Sequence, residues 1–533
     1  MGISRRHFNL SLLAGASAQL SASLVPRPKL LVLVVLEQMR QDYWDSAANQ
    51  FGAGGLGHIL LKGAHFPDCR HLASTFSATA LATLATGAWP AQHGIVADSW
   101  YDRAAQNAVP ASRESLLATT LTAQVAALGR EARTFVIGMT ATQASLFAGT
   151  SEAQQFWMDR RGQFTTLGEP PAWLTEFNVQ NPLENKHNAR WMAIGAVTGA
   201  PPLRTLTYDP EHPEKFLDLY QASHLGQAAQ FELLVRLIDK QGLGQGDTFD
   251  FVCLVADSTA RLGYEVGGRS PLMRQMVLNL DQQLEFLLKQ LRAAAGETGF
   301  NLVLAGGHGA PPDPAEESRG RMAVPGESVA QAVDRALLAT GAGRVTRYLY
   351  PYLYLDTSGF RDPEPLRMAA GRAALQHPAV AGFYTAGGYC STNDSWRERF
   401  RNSFHHSRSG DVMLSYLPEY VEDFGQGRGV SYGSLYNYDV RVPLCFYGPQ
   451  FKAGVFESPV QSVDLAPTLA RTMGVSPPSS SDGRVLGEAL DGRVARGAPD
   501  HHQQPIARSR DAGPHAGQQP EQADADDHCR RGQ

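Results

Sequence analysis

The chain of 533 residues carries 47 Lys and Arg against 52 Asp and Glu, a formal net charge of −5. That balance lacks the basic footprint of a nucleic-acid binder. Hydrophobic residues make up 43% and charged residues 19%, proportions that fit a globular chain with a sizeable core and exclude a largely disordered one.

In chain order, the first element is an address. Ser4, Arg5, Arg6, His7 and Phe8 precede a short apolar run from Asn9 to Ala16, and small residues follow through Ser23. A basic stretch, a short apolar stretch and a small-residue zone make residues 1–23 a signal segment of the twin-arginine type. The expected location of the mature protein is the periplasm or the exterior. The apolar run is too short to span a bilayer, which takes about 20 residues, and no other segment reads as transmembrane.

Leu30 to Leu36 is a continuous apolar run of strand length, and Phe249 to Val255, Phe300 to Ala305 and Val442 to Tyr447 are comparable. Such runs suit strands buried on both faces of a parallel sheet. Helical patterns lie between them at Ser77 to Thr86, Ala228 to Gln241 and Pro271 to Ala294. The alternation predicts an α/β fold, with a mostly parallel central sheet flanked by helices and chemistry at the carboxyl ends of the strands.

Two stretches, residues 150–223 and 311–419, are rich in Pro and Gly or in Trp and Asn and read as cap segments inserted over the strand ends. The main domain spans residues 24–492. Beyond it, residues 493–533 hold almost no large apolar side chains and are expected to be disordered. Cys69, Cys253, Cys390, Cys445 and Cys529 show no CxxC spacing, which argues against a cysteine zinc site. Cys253 and Cys445 sit in apolar runs and read as buried hydrophobes.

Several segments match known motifs in register. They are Glu37-Gln38-Met39-Arg40, the stretch from Ser77 to Gly87, His93 to Asp102, Phe156 to Asp159, Gly267 to Pro271, Gly307-His308-Gly309 and Tyr438 to Pro443. On these residues the chain resembles the alkaline phosphatase superfamily, in its branch of zinc phosphomonoesterases related to type I phosphodiesterases. The resemblance runs from about Lys29 to Leu490. It implies an alkaline-phosphatase-like sandwich in which two zinc ions, held by carboxylates and imidazoles, activate a Ser or Thr nucleophile.

Carried over residue by residue, the resemblance puts Ser77 at the nucleophile position. Glu37 stands at one metal position where the family has Asp, and His308 at another where the family has His. Ala260, Tyr264, Gly307 and Tyr432 occupy the remaining metal positions, replacing Asp, His, Asp and His. Asp98, Thr140 and Thr142 fall where the family has an Asn, a Lys and an Arg that contact the substrate phosphoryl group. Asp257 is a rival candidate for the position given to Ala260, in a register that breaks the Gly-x-x-Ser-Pro match. Apart from the family, Ser77 before an Ala-rich run reads as a helix N-cap.

The expectation that follows is a member of the superfamily without two-zinc catalysis. It would need no cofactor, or at most one weakly held divalent metal on Glu37 and His308. It would bind a ligand or protein partner of unknown kind through the old cleft or the cap. The alternative is a residual or altered phosphate-ester hydrolase, using Ser77 with an incomplete metal site, or Ser77 with His308 as base.

Overall fold

The computed structural model describes residues 27–311, 322–391, 396–418, 420–424, 432–492 and 494. Residues 1–23, expected to be a signal segment, and almost all of the C-terminal stretch lie outside the described residues. Among the described residues, ten strands form one central sheet. In chain order they are β1 (Leu30–Leu36), β2 (Ala64–Arg70), β3 (Ala132–Ile137), β4 (Gln154–Met158), β5 (Phe164–Thr166), β6 (Phe249–Ala256), β7 (Phe300–Gly306), β8 (Arg441–Tyr447), β9 (Gly454–Val455) and β10 (Val460–Gln461). Their order across the sheet is β9-β2-β8-β7-β1-β6-β3-β4-β5, with β10 also on β2. The run β7-β1-β6-β3-β4 is parallel throughout.

β1 explains why the sheet holds. Leu31, Leu33 and Val35 enter one hydrophobic core, while Leu30, Val32, Val34 and Leu36 enter the other. The period of two sends alternate side chains to opposite faces, and every residue of the strand is buried. Helices α1 (Ser77–Thr86) and α2 (Ala141–Ala148) supply side chains to the first core. Helices α3 (His224–Gln241) and α5 (Pro271–Ala295) fill the second. A short helix, α4 (Ser258–Val266), follows β6 directly.

The structure departs from the sequence reading at two places. The run ending at Tyr447 is antiparallel to both neighbours, β7 and β2; burial on both faces sets the apolar pattern but carries no information about direction. The stretch from residue 150 does not leave the sheet at once. Its first part forms β4 and β5 at the sheet edge. Only after these do a helix at Ala172–Gln180, a hairpin pairing Ala189–Trp191 with Arg204–Leu206, and a helix at Pro213–Gln221 follow.

The later insertion builds its own layer. Five strands pair antiparallel in the order Val345–Leu349, Tyr352–Leu355, Val412–Tyr416, Val380–Tyr384, Tyr389–Ser391. Helices Gly326–Thr340 and Glu364–Ala374 complete a separate small core around Val333, Leu337, Leu353 and Phe383. Cys69, Cys253 and Cys445 are free thiols buried in the interior, and burial pushes all three above the usual thiol range.

Candidate functional site

The register of three parallel strands sets the site. Leu36 at the end of β1 lies opposite Ala256 at the end of β6 on one side and Gly306 at the end of β7 on the other. The residues that follow, Glu37, Asp257 and Gly307, therefore emerge side by side. Backbone bonds pin the exits: Glu37 N–H donates to the Ala256 carbonyl at 3.0 Å, and Gly307 N–H to that of Leu36 at 2.9 Å. Gln38 turns the chain away at φ 53°, a left-handed conformation unusual outside glycine.

Ser77 opens α1 at this end of the sheet. Phe76, not Ser77, holds the N-cap position, and its side chain makes no capping bond. The N-cap expectation for Ser77 is thus corrected. Its hydroxyl is turned away from the helix and donates to Glu37 Oε2 in a short hydrogen bond. The same carboxylate oxygen lies 3.5 Å from His308 Nε2. His308 Nδ1–H donates to the Gly309 carbonyl at 2.7 Å, which leaves Nε2 to face Glu37.

Both partners are fully buried. Burial pushes the Glu37 carboxyl upward, against the His308 and Ser77 contacts that pull it down. Burial lowers His308, but the Glu37 carboxylate, with the Gly309 carbonyl and Asp439, more than offsets it and leaves the imidazole above its ordinary value. Among the described residues, neither Glu37 Oε1 nor His308 Nε2 finds a partner at full hydrogen-bond geometry.

The helix start is taken by a carboxylate from the chain itself. Asp98 Oδ1 accepts from Ala78 N–H at 2.9 Å, and Asp98 Oδ2 accepts from the Tyr432 hydroxyl at 2.5 Å. Unpaired N–H groups at the first turn of a helix favour an anion, and here that anion is built in. The Tyr432 ring lies over His308 with centroids 5.1 Å apart at 23°, and Tyr264 meets Tyr432 edge-on at 5.0 Å. The two tyrosines fill the volume beside His308 with packed rings. Burial and the Asp98 charge hold the Tyr432 hydroxyl well above the usual phenol range.

Gly307 leaves room for Glu37. A Cβ at position 307 would stand 2.5 Å from Glu37 Oε1, so the longer acid at 37 occupies the space that a side chain at 307 would need. Ala260 is buried in the first turn of α4 and offers no donor. The rival candidate Asp257 is engaged, accepting from Arg261 Nε at 2.7 Å.

The structure thus brings together Glu37, Ser77, Asp98, Tyr264, Gly307, His308 and Tyr432. It leaves Thr140 and Thr142 on α2. Thr140 caps that helix, its hydroxyl accepting from Gln143 N–H at 3.3 Å, and Thr142 is exposed in the first turn.

The sequence reading takes Asp439 as a landmark only. It is fully buried beside His308, takes Ser434 N–H at 3.0 Å on Oδ2 and leaves Oδ1 without a partner among the described residues. Burial raises its carboxyl to about 6. An acid inside an otherwise apolar strand approach is the signal that could have found it.

A helix that opens on Ser77 and faces the ends of three parallel strands is the scaffold shared with phosphate-ester hydrolases. The chain belongs to the type I phosphodiesterase / nucleotide pyrophosphatase family, whose model matches residues 31–420. It is similar to the alkaline phosphatase PafA of Elizabethkingia meningoseptica, at 24% identity over 87% of this chain and 95% of that protein. It is also similar to the alkaline phosphatase PhoV of Synechococcus elongatus, at 22% over 87% of this chain and 94% of that one. The crystal structure of wild-type PafA superposes with a TM-score of 0.76 at 21% identity, covering 88% of this chain and all of that one, which establishes the shared fold.

These relationships correct one expectation. The reading that no cofactor is needed does not stand, because the family and its alkaline phosphatases point to metal use. The donor set at the corresponding positions does not match the two zinc ions that the resemblance implies. Ala260 and Gly307 carry no ligand atom, the Tyr432 hydroxyl is bonded to Asp98, and Glu37 is bonded to Ser77. Among the described residues, no group of three or more His, Cys, Asp or Glu side chains is placed to share an ion. No helix among the described residues is long and apolar enough to cross a membrane.

Proposed function

We propose that this chain is an exported member of its family that has lost phosphate-ester turnover and uses the cleft over the strand ends for binding. The observation that carries this reading is Asp98. Its carboxylate sits on the Ala78 N–H in the first turn of α1 and is held there by Tyr432, so a phosphoryl group approaching Ser77 meets a negative charge where it would need donors. Export is inferred from the paired arginines of residues 1–23.

The test is hydrolysis of aryl phosphate mono- and diesters by the mature protein supplied with excess zinc, beside the Ser77→Ala variant. Equal background rates are expected. Turnover that disappears with Ser77→Ala would overturn the reading.

One observation favours a residual hydrolase instead. Ser77 donates directly to a carboxylate whose proton affinity is raised by burial, the arrangement of a nucleophile with its general base. That reading predicts Ser77-dependent turnover that Glu37→Gln abolishes. The same assay separates the two.

A further inference from the structure

Above the Asp98–Tyr432 contact lies a cavity of about 1170 Å³. Its inner wall is aromatic. Phe76 meets Tyr432 and Tyr350 edge-on at 5.7 and 5.9 Å, and Tyr350 meets Phe424 edge-on at 6.0 Å. Interlocked edge-to-face rings form a stiff wall, and the faces of such rings carry a negative quadrupole.

The charged lining is one-sided. Among the described residues, Lys215 and Arg261 are its cations, and Arg261 is already committed to Asp257 at 2.7 Å. Glu265 is matched by Arg204 at 2.8 Å. Asp98, Asp218 and Glu327 stand around the same space, so the lining keeps a surplus of carboxylates over Lys215 after those ion pairs are removed; Glu422 also lines it, raised to about 7 by burial and accepting from the Tyr348 and Tyr416 hydroxyls.

We infer that this cavity binds a small organic cation, an alkylammonium or quaternary ammonium group carried on an apolar body. Aromatic faces and carboxylates are the two partners such a head prefers, and both repel a phosphate. The inference deepens the binding reading given above and rests on it for the cleft's purpose.

The experiment is calorimetric titration of the mature protein with choline, 2-phenylethylammonium and 3,3-dimethylbutanol, the neutral isostere of choline. The two cations are expected to bind at least about tenfold more tightly than the alcohol. The rim variants Glu327→Gln and Asp218→Asn should each weaken the cations by about two- to fivefold, and Phe424→Leu by about tenfold, while leaving the alcohol unchanged. These side chains are exposed, so the variants keep the fold, which the unchanged denaturation midpoint verifies. Equal affinity for cation and alcohol, or no binding of either cation, overturns the inference. Ser77-dependent phosphate-ester turnover alongside selective cation binding would instead defeat only the loss-of-turnover reading.

Discussion

Replacing Asp98 by asparagine tests most directly whether the chain's own carboxylate excludes phosphate. Asp98 Oδ1 lies 2.9 Å from Ala78 N, so an anion oxygen taking that N–H would stand close to where Oδ1 now stands. The carboxylate would then be displaced by only a few ångströms. Two unit charges about 4 Å apart interact at roughly 4 kcal/mol near a protein surface. Asp98 is only partly buried, and solvent screening brings the expected penalty to about 1–4 kcal/mol. The amide of the Asp98→Asn variant keeps an acceptor oxygen for the Ala78 N–H or the Tyr432 hydroxyl but removes the charge. Inorganic phosphate and tungstate should bind this variant about ten- to several-hundredfold more tightly than the parent. Titration calorimetry at low salt measures the difference, and raising the salt should shrink it. Equal anion affinity in variant and parent would refute the idea that Asp98 fills the anion position.

Tyr432→Phe should lower the free energy of unfolding by about 1.5–3 kcal/mol in urea titration, because a hydrogen bond to a carboxylate is lost and Oδ2 of Asp98 keeps no donor there. Gly307→Ala should cost about 1–3 kcal/mol from the 2.5 Å approach to Glu37 Oε1. Combining it with Glu37→Asp, which withdraws the acid by one methylene, should recover part of that loss as a coupling of at least about 0.5 kcal/mol in a double-mutant cycle. Additive losses would mean that the two positions do not compete for space. Stability should also depend on pH in a stated direction. Burial lifts Glu422 from 4.5 to about 7 and Asp439 from 3.8 to about 6. An acid raised in the folded state favours folding while it is protonated, so the contribution is complete below the unfolded values and is lost as pH rises through about 6 to 7. Urea midpoints should fall from about pH 5 to about pH 8, and Glu422→Gln should flatten that slope. A Glu422→Gln profile parallel to the parent's would show that Glu422 is not the group responsible.

The central sheet was legible because β1, β6 and β7 are buried on both faces and leave an unbroken apolar record, and α1 has its ends at Ser77 and Thr86 as read. The direction of β8 and the sheet membership of β4 and β5 were not legible, since pairing partners lie far off in sequence and leave no local mark. At the site, the family resemblance singled out positions 260, 264, 307 and 432 as replaced. Their compensations could not be read in the sequence. Tyr432 reaches Asp98 across 334 positions, and Ser77 reaches Glu37 across 40. Asp439 was hidden for a different reason: it stands inside a matching motif, where an expected residue attracts no notice.

The crowding between Glu37 and Gly307 sets a direction on sequence change. A carboxylate cannot return to position 307 while Glu37 extends over it, since even a methyl carbon there lies 2.5 Å from Oε1. Shortening Glu37 alone withdraws the acceptor from Ser77 and His308 and leaves a gap with nothing to fill it. At positions 37 and 307 each single step toward the family's arrangement passes through a less stable chain, so this pair acts as a ratchet that only the paired substitution releases.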